Sequence, residues 1–345
     1  MTFNLFITSM GGIRASNLIL QIKKKSKYRP IKIHAADNLK NVQSKKFADS
    51  YSVLPKPKNK RYLKEIIKIV KNKSINLIIP GSDEEAIKLS KEKKKIEKKN
   101  TKIASVDYKI LKKFENKLST YKKLDELKIR SPKWKRANNF KELKLAVNFF
   151  FKLGFEAVVK PVNSRGGRNV SIIRKDIKNI ISKNFGREIH MPKKYFFSRF
   201  FRKYSNLFPV IVMERLYEPS YDFDLLSWQG RLLKIVVRKR IGSQGIDGNI
   251  IEVPKKNFLE YAKKITKGFN LSWLYDCDIM LNKNSKPVLM ELNPRISGSV
   301  SSSLEAGIPL IDDLISLAKN KISRIKKLNL KKNITVIPYS SLSKV

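Results

Sequence analysis

The stretch VLMELNPRISGS at residues 288–299 brings Glu291, Asn293 and Arg295 together directly after an apolar run. In a β-strand, residues i and i+2 point to the same face, so Glu291 and Asn293 project side by side. Both offer oxygen, the ligand type that Mg²⁺ takes when it bridges protein carboxylates to substrate phosphates. Arg295, just past the strand end, is placed to meet a phosphate. The stretch fits a phosphoryl-transfer site and a buried strand ending in a polar turn equally well.

A second apolar strand precedes this one and carries two further acids. Residues 273–281 include Asp276 and Asp278, and residues 282–286 form a turn in the prediction, so the two strands make a hairpin. Antiparallel pairing across this turn would bring Asp278 close to Glu291. Asp278, Glu291 and Asn293 then provide three oxygen ligands on one hairpin.

The composition limits the chemistry and the location. One cysteine and two histidines exclude a disulfide and a Cys/His zinc site, so any metal is held by Asp, Glu and Asn. No apolar run approaches the roughly 18 residues of a membrane span, and the N-terminus lacks the pattern of a secretory signal, so we expect a cytoplasmic protein.

The formal charge of +46 arises mainly from lysines spread over the whole chain. A binding stripe would concentrate this charge on one face. We therefore interpret it as a compositional bias, with a polyanionic partner as the alternative. In either case the charge attracts anionic substrates such as nucleotides.

The N-terminal third alternates short apolar strands with helices, which predicts a parallel sheet. The strands are expected near residues 4–9, 31–35, 51–54 and 76–79. Gly11 and Gly12 follow the first strand, but a dinucleotide fingerprint needs a third glycine, so we place no nucleotide there. After the fourth strand, Ser82 or Asp83 is expected to cap a helix, and a substrate contact is the alternative.

Two lysines lie where a phosphate could be bound. Asn116 is a plausible helix cap, which puts Lys117 at a helix start where backbone N–H groups favour anions. From this segment alone an exposed lysine is the favoured interpretation, with a phosphate contact as the alternative. Lys160 ends an apolar strand of the run EAVVKPVNSRGGRNVSII, residues 156–173. Ser164, Gly166 and Gly167 lie in the loop of this predicted hairpin, which could fold over a triphosphate. A simple surface hairpin explains the glycines but not a lysine within an apolar strand.

The segment at residues 187–208 is both basic and aromatic. Such interleaving occurs on surfaces that stack nucleic-acid bases. It also occurs in small lid domains whose thin core is built from aromatic side chains, and we favour that interpretation.

Taken in chain order, these features resemble the ATP-grasp superfamily, and within it the carboxylate–amine ligases and carbamoyl-phosphate-synthase-like proteins. The resemblance covers residues 4–319 and rests on IIPGSDEEA, ENKLSTYKKLDELKIRSP, VVKPVNSRGGRNV, VMERL, CDIMLN and MELNPRISGS. It implies a fold of the α/β and α+β classes, with an N-terminal Rossmann-like pre-grasp domain followed by a two-lobed ATP-grasp fold. The implied domains are residues 1–113 and 114–320, the latter with a lid lobe at about 138–215 and a core lobe at about 216–320. Residues 321–345 remain as a basic C-terminal tail.

The resemblance also implies the roles of individual residues. Contacts to ATP are implied for Lys117, Lys160, the loop at Ser164, Gly166 and Gly167, the side chain of Glu214 and the backbone near Leu216. Ligation of Mg²⁺ or Mn²⁺ is implied for Asp278, Glu291 and Asn293, and contact with the transferring phosphate for Arg295. The sequence departs from the family at YEPSYDFD, where Ser220 stands in place of the acid that binds ribose.

Proteins of this family activate a small carboxylate as an acyl phosphate, converting ATP to ADP, for attack by an amine or similar nucleophile. Arg238 and Arg240 are expected to hold the substrate carboxylate or the γ-phosphate, unless they are a surface pair. The alternatives are an ATP-binding subunit without chemistry of its own and a basic nucleic-acid-binding protein. We expect small-molecule partners and a homodimer, without nucleic acid or membrane.

Overall fold

The computed structural model describes residues 2–97, 100–162, 168–183, 188–242 and 248–338. The chain forms two compact units. Unit 1 consists of Met1–Glu115, Tyr221–Asp278 and Leu292–Val345, and unit 2 of Asn116–Ser220 and Ile279–Glu291. Ser164, Gly166 and Gly167 of the predicted phosphate-covering loop lie outside the described residues.

The N-terminal part of unit 1 is an α/β domain with a parallel sheet. Its elements are β1 (Phe3–Ile7), α1 (Ala15–Lys25), β2 (Ile31–Asp37), α2 (Ser44–Phe47), β3 (Ser50–Val53), α3 (Tyr62–Asn72), β4 (Leu77–Ile79), α4 (Asp83–Lys91), α5 (Lys93–Ile96), β5 (Lys102–Ile103) and α6 (Tyr108–Leu111). The strand order is β3-β2-β1-β4-β5, and neighbouring strands run parallel.

Helical spacing of apolar residues explains how α3 covers this sheet. Tyr62, Ile66 and Val70 recur every fourth position and are buried, so one face of the helix is apolar. They pack in a cluster with Phe6 of β1 and Ile78 of β4. The lysines of α3 lie on its other faces, which places them in solvent.

Unit 2 contains a mixed sheet and its covering helices. Its elements are α7 (Lys117–Glu126), β6 (Trp134–Ala137), α8 (Phe140–Lys152), β7 (Ala157–Pro161), β8 (Val170–Arg174), β9 (Ile181–Lys183), β10 (Glu188–Pro192), α9 (Lys193–Tyr195) and β11 (Val210–Glu214). The strand order is β6-β11-β7-β8-β10-β9. β7 and β8 pair antiparallel, as the predicted hairpin requires.

The basic aromatic segment at residues 187–208 builds the core of unit 2. Phe196 and Tyr204 are fully buried, and Tyr195, Phe197 and Phe201 pack against the same cluster. Side chains packed in this way cannot stack on bases. The prediction that these aromatics form the core of a small lobe is therefore confirmed.

The third sheet begins at the end of unit 2 and continues through unit 1. Its elements and the helices beside it are β12 (Tyr217–Trp228), β13 (Arg231–Ile241), β14 (Gly248–Glu252), α10 (Lys256–Phe269), β15 (Trp273–Leu281), β16 (Pro287–Asn293), α11 (Val300–Glu305), α12 (Leu310–Ala318) and β17 (Ile334–Val336). The strand order is β16-β15-β12-β13-β14-β17. Gln229 and Gly230 join β12 to β13 with φ angles of 48° and 79°, the left-handed conformation that tight hairpins require.

The C-terminal residues correct one expectation. Residues 321–345 were expected to be a basic tail without an assigned role. Instead, Ile334–Val336 form β17, which pairs antiparallel with β14 and extends the sheet by one strand. A strand of three residues carries too short a pattern to be recognised in a basic segment.

Among the residues that the structure describes, no helix is both long enough and apolar enough to cross a membrane.

Candidate active site

Arg238 lies at the centre of a buried network of charges in unit 1. Its guanidinium pairs with Asp224 at 2.9 Å, Asp222 at 3.2 Å and Asp276 at 3.4 Å. Its side chain has no exposed surface. Burial acts to lower the pKa of Arg238, but Asp224, Asp222 and Asp276 outweigh it and raise the pKa. In this conformation Arg238 holds carboxylates of its own chain and does not reach a ligand, which differs from the predicted substrate contact.

Arg240 links the same network to Asp278. It contacts both oxygens of Asp222 through Nε at 3.0 Å and pairs with Asp278 at 2.8 Å. Burial alone would raise the pKa of Asp222, but the charges of Arg238 and Arg240 dominate and hold it below its ordinary value. Asp222 is therefore arranged as a charged carboxylate, and Asp278 is paired with the same arginine.

Arg295 is held between two elements of unit 1. Its guanidinium pairs with Asp276 of β15 at 2.7 Å and with Asp83, the first residue of α4, at 3.3 Å. Ser82 caps α4 by accepting a hydrogen bond from the Glu85 backbone N–H, so the predicted cap is confirmed. Asp83, for which a helix cap and a substrate contact were both considered, instead faces the predicted phosphate-binding arginine.

Unit 1 contains carboxylate oxygens of the kind that bind divalent cations. Among the described residues, Asp222, Asp276 and Asp278 can each direct one carboxylate oxygen to a common point, with these atoms within 4.8 Å of one another. Asn293 donates to Asp276 at 3.4 Å, which directs its amide oxygen away from that carboxylate. Hard cations such as Mg²⁺ take such oxygen ligands.

Glu291 and Lys117 form an ion pair in unit 2. Their Oε1 and Nζ atoms lie 2.9 Å apart, although the residues are 174 positions apart in the chain. Asn116 and Ser119 make a reciprocal capping box that fixes the start of α7, so Lys117 has a defined direction. The predicted cap is confirmed, and the lysine is buried against an acid from the predicted metal site.

Lys160 is buried in unit 2 and donates a hydrogen bond to the Tyr121 hydroxyl at 2.8 Å. That hydroxyl in turn donates to the backbone oxygen of Met290 at 2.9 Å. Because Met290 directly precedes Glu291, both predicted phosphate-binding lysines reach the same strand, Lys160 through Tyr121 and Lys117 through its ion pair with Glu291. Tyr121 appeared in the sequence only as one apolar position of a helix.

Glu214 and Leu216 flank the end of β11 in unit 2. Glu214 accepts a hydrogen bond from the Lys133 backbone N–H at 2.8 Å, and the Leu216 side chain is buried. The backbone N–H of Lys133 therefore holds the Glu214 carboxylate in place within the segment that resembles an adenine-binding hinge.

The carboxyl ends of β1 and β4 pack tightly against each other. Thr8 and Ser9 donate hydrogen bonds to one oxygen of Glu85 at 2.7 and 2.5 Å. Burial raises the pKa of Glu85, while these hydroxyls act in the opposite direction. An added Cβ at Gly81 would lie 2.1 Å from the Thr8 carbonyl oxygen, so only glycine fits there. This packing fixes the start of α4, where Asp83 meets Arg295.

Family models cover much of the chain. The model described as ATP-grasp in the biosynthetic pathway with Ter operon matches residues 206–342, and the model described as the PylC-like N-terminal domain matches residues 5–104. Residues 206–342 therefore carry an ATP-grasp domain, and residues 5–104 carry a PylC-like N-terminal domain.

One curated relative of this chain is an uncharacterized protein, MJ0776, of Methanocaldococcus jannaschii. The two are 28% identical over 188 residues, which is 53% of this chain and 41% of the relative. The alignment therefore spans about two fifths of the relative's length.

Solved structures share the fold over nearly the whole chain. N5-carboxyaminoimidazole synthetase from Staphylococcus aureus, complexed with ADP, has a TM-score of 0.70 and 13% identity over 96% of this chain and 82% of its own. Phosphoribosylamine–glycine ligase from Thermotoga maritima has a TM-score of 0.68 and 14% identity, covering 94% and 77%. The biotin carboxylase domain of 2-oxoglutarate carboxylase from Hydrogenobacter thermophilus, with MgADP and bicarbonate, has a TM-score of 0.64 and 14% identity, covering 96% and 72%.

These similarities confirm the predicted fold class, a mixed α/β protein in which the ATP-grasp domain follows an N-terminal α/β domain. The predicted ATP-grasp fold is confirmed, whereas a ligase activity of this chain stays a prediction. Two of the similar structures contain ADP or MgADP, and the use of ATP and Mg²⁺ by this chain stays a prediction as well.

Proposed function

We propose that the protein is an ATP-dependent ligase that activates a small carboxylate as an acyl phosphate for attack by an amine or similar nucleophile. The ion pair between Lys117 and Glu291 carries this proposal, because it fixes a cation and a metal-type ligand at the start of one helix. Phosphoryl transfer needs mainly positioning and neutralisation of spread negative charge, and this pair supports the first of these by fixing both side chains.

In the proposed reaction, Lys117 and Lys160 bind phosphate oxygens, and Arg295 contacts the transferring phosphoryl group. Asp83 and Asp276 pair with the Arg295 guanidinium and restrict its motion, which would reduce the cost of ordering it when substrate binds. Glu214 and the backbone near Leu216 are proposed to bind adenine. Catalytic contact by Arg238 is not part of the proposal, since that side chain holds its own acids.

Asp278, Glu291 and Asn293 are each proposed as an oxygen ligand of Mg²⁺, on the chemistry of their donor atoms. When bound, the ion would neutralise negative charge that develops on the phosphate oxygens during transfer. The ATP loop at Ser164, Gly166 and Gly167 stays a prediction, as do the homodimer and the cytoplasmic location.

The test is a screen of amino acids and other carboxylates, with amine acceptors, for ADP release with Mg²⁺ and ATP. At least one pair should give substrate-dependent ADP. Glu291→Gln should reduce the rate by about 100-fold or more in protein that remains folded, in line with the loss of a group that stabilises transition-state charge.

Glu126→Gln is the matched control, since Glu126 is an exposed acid of unit 2 paired with Lys123. It should turn over like the unmodified protein. Full turnover by Glu291→Gln would contradict the metal assignment. Calorimetric binding of Mg·ATP without ADP release from any carboxylate would instead favour an ATP-binding subunit without chemistry.

A further inference from the structure

A polar cleft opens at the amino ends of the N-terminal parallel strands. Its volume is about 460 Å³, within the range of small-molecule sites. The side chains that line it include Asn4, Lys32, His34, Ser50, Lys73 and Ser74. The residues described around Gly81 and Asp83 follow the carboxyl ends of the strands, so the cleft is at the opposite edge of the sheet.

His34 is the buried group of this cleft. Only 7% of its surface is exposed, and its Nδ1 atom shares a hydrogen bond of 2.5 Å with the Ser50 hydroxyl. Its Nε2 atom has no hydrogen-bond partner among the described residues. A buried polar atom without a partner is costly, and a ligand that supplies one removes this cost.

The charges around His34 favour an anion. Burial lowers the pKa of His34, and the charges of Lys73 and Lys32 lower it further, while Asp49 raises it. Asp49 is itself engaged by the Lys23 ammonium at 2.9 Å and the Ile33 backbone N–H at 2.7 Å, which offsets its charge. Two lysines thus line the cleft together with the imidazole and with the carboxylate of Asp49, whose charge is offset by Lys23.

We propose that this cleft, here called the His34 cleft, binds a small phosphate-type anion, either inorganic phosphate or the phosphate group of a small ester. The lysines supply charge, and the Ser50 hydroxyl and the imidazole supply directed hydrogen bonds. Because the cleft is at the amino ends of the strands, the proposal does not rest on the ligase activity.

The chain makes this proposal directly measurable because it contains only two histidines, His34 and His190. With isotope-labelled histidine, NMR gives two ring signals, and His34→Gln assigns them. Each signal is followed through a pH titration in chloride, in inorganic phosphate and in glycerol phosphate, at matched ionic strength.

A bound phosphate dianion favours the charged imidazole, so the pKa of His34 should rise with saturable dependence on phosphate. His190, a residue of β10 in unit 2, should keep its pKa. A larger affinity for glycerol phosphate would identify an ester as the ligand, and an equal affinity would identify free phosphate.

Replacing Lys32 and Lys73 together by serine should weaken binding by about tenfold or more. The matched control replaces Lys64 and Lys68, two exposed lysines of α3, by serine and makes the same change in net charge. Binding should survive in the control. The proposal is overturned if neither anion shifts the His34 signal, or if both double variants lose affinity equally.

Discussion

At the scale of single residues, the acids around Arg238 determine what this arginine does. The sequence showed Arg238 and Arg240 as a pair at the end of a strand, and a ligand contact was a reasonable prediction. Their partners lie 14 to 38 positions away, on β12 and β15. Only the pairing of those strands brings the carboxylates together, so no local pattern could reveal the network.

Arg238→Met should destabilise the protein strongly. The substitution leaves Asp222, Asp224 and Asp276 buried without their shared cation, a change that typically costs about 3–5 kcal/mol of unfolding free energy. Thermal and urea unfolding would measure the loss. Arg231→Met, on the exposed start of the same strand, should change stability by less than about 0.5 kcal/mol. If Arg238→Met kept native stability but bound substrate more weakly, Arg238 would be a ligand-binding residue, as the sequence predicted.

The candidate ligand residues at positions 291–295 could be predicted from the sequence because their spacing places chemically suitable side chains on one face of a strand. Glu291, Asn293 and Arg295 lie within one strand end, where alternation fixes their directions. Asp83 and Tyr121 were not assigned site roles, since a helix cap and an apolar helical position explained them. Their contacts to Arg295 and Lys160 depend on tertiary packing.

At the scale of elements, strong periodic patterns were predicted well. The strand at residues 273–281 has the expected bounds. The strands Ile181–Lys183 and Ile334–Val336 were not predicted, because strands of three residues give no measurable alternation. These short strands are stabilised by the strands with which they pair, and the local sequence does not indicate which strands those are.

The two capped helices of unit 2 allow a matched experiment. Asn116 caps α7 and Asn139 caps α8, each by accepting a backbone N–H with its side chain. Replacing either asparagine by alanine should lower stability by about 1 kcal/mol. Asn116→Ala should also raise the KM for ATP, since α7 begins at Lys117, whereas Asn139→Ala should not. Equal KM values for the two variants would remove Lys117 from the proposed ATP site.

At the scale of the whole molecule, the net charge of +46 is a property of the surface and does not identify a partner. The aromatic residues beside the basic segment at 187–208 are largely packed in a core. What remains is diffuse positive charge, which attracts any polyanion without reading its sequence.

Binding to DNA or heparin should therefore fall steeply with salt and show no sequence preference. Replacing Arg199 and Arg202 by serine should weaken it no more than replacing Lys64 and Lys68, because both changes remove two exposed charges. Mobility-shift titrations over a range of salt would compare the variants. A selective loss in the Arg199 and Arg202 variant would support a dedicated nucleic-acid surface.

The division of the chain into units has a consequence for protein synthesis. Unit 2 closes once residue 291 has been made, whereas unit 1 combines the first 115 residues with segments that follow residue 220. Its last sheet pairing, between β14 and β17, needs residues 334–336. During translation the parallel sheet of the N-terminal domain can therefore form early, since its strands end at Ile103, whereas the edge of β14 stays uncovered until residues 334–336 have been made.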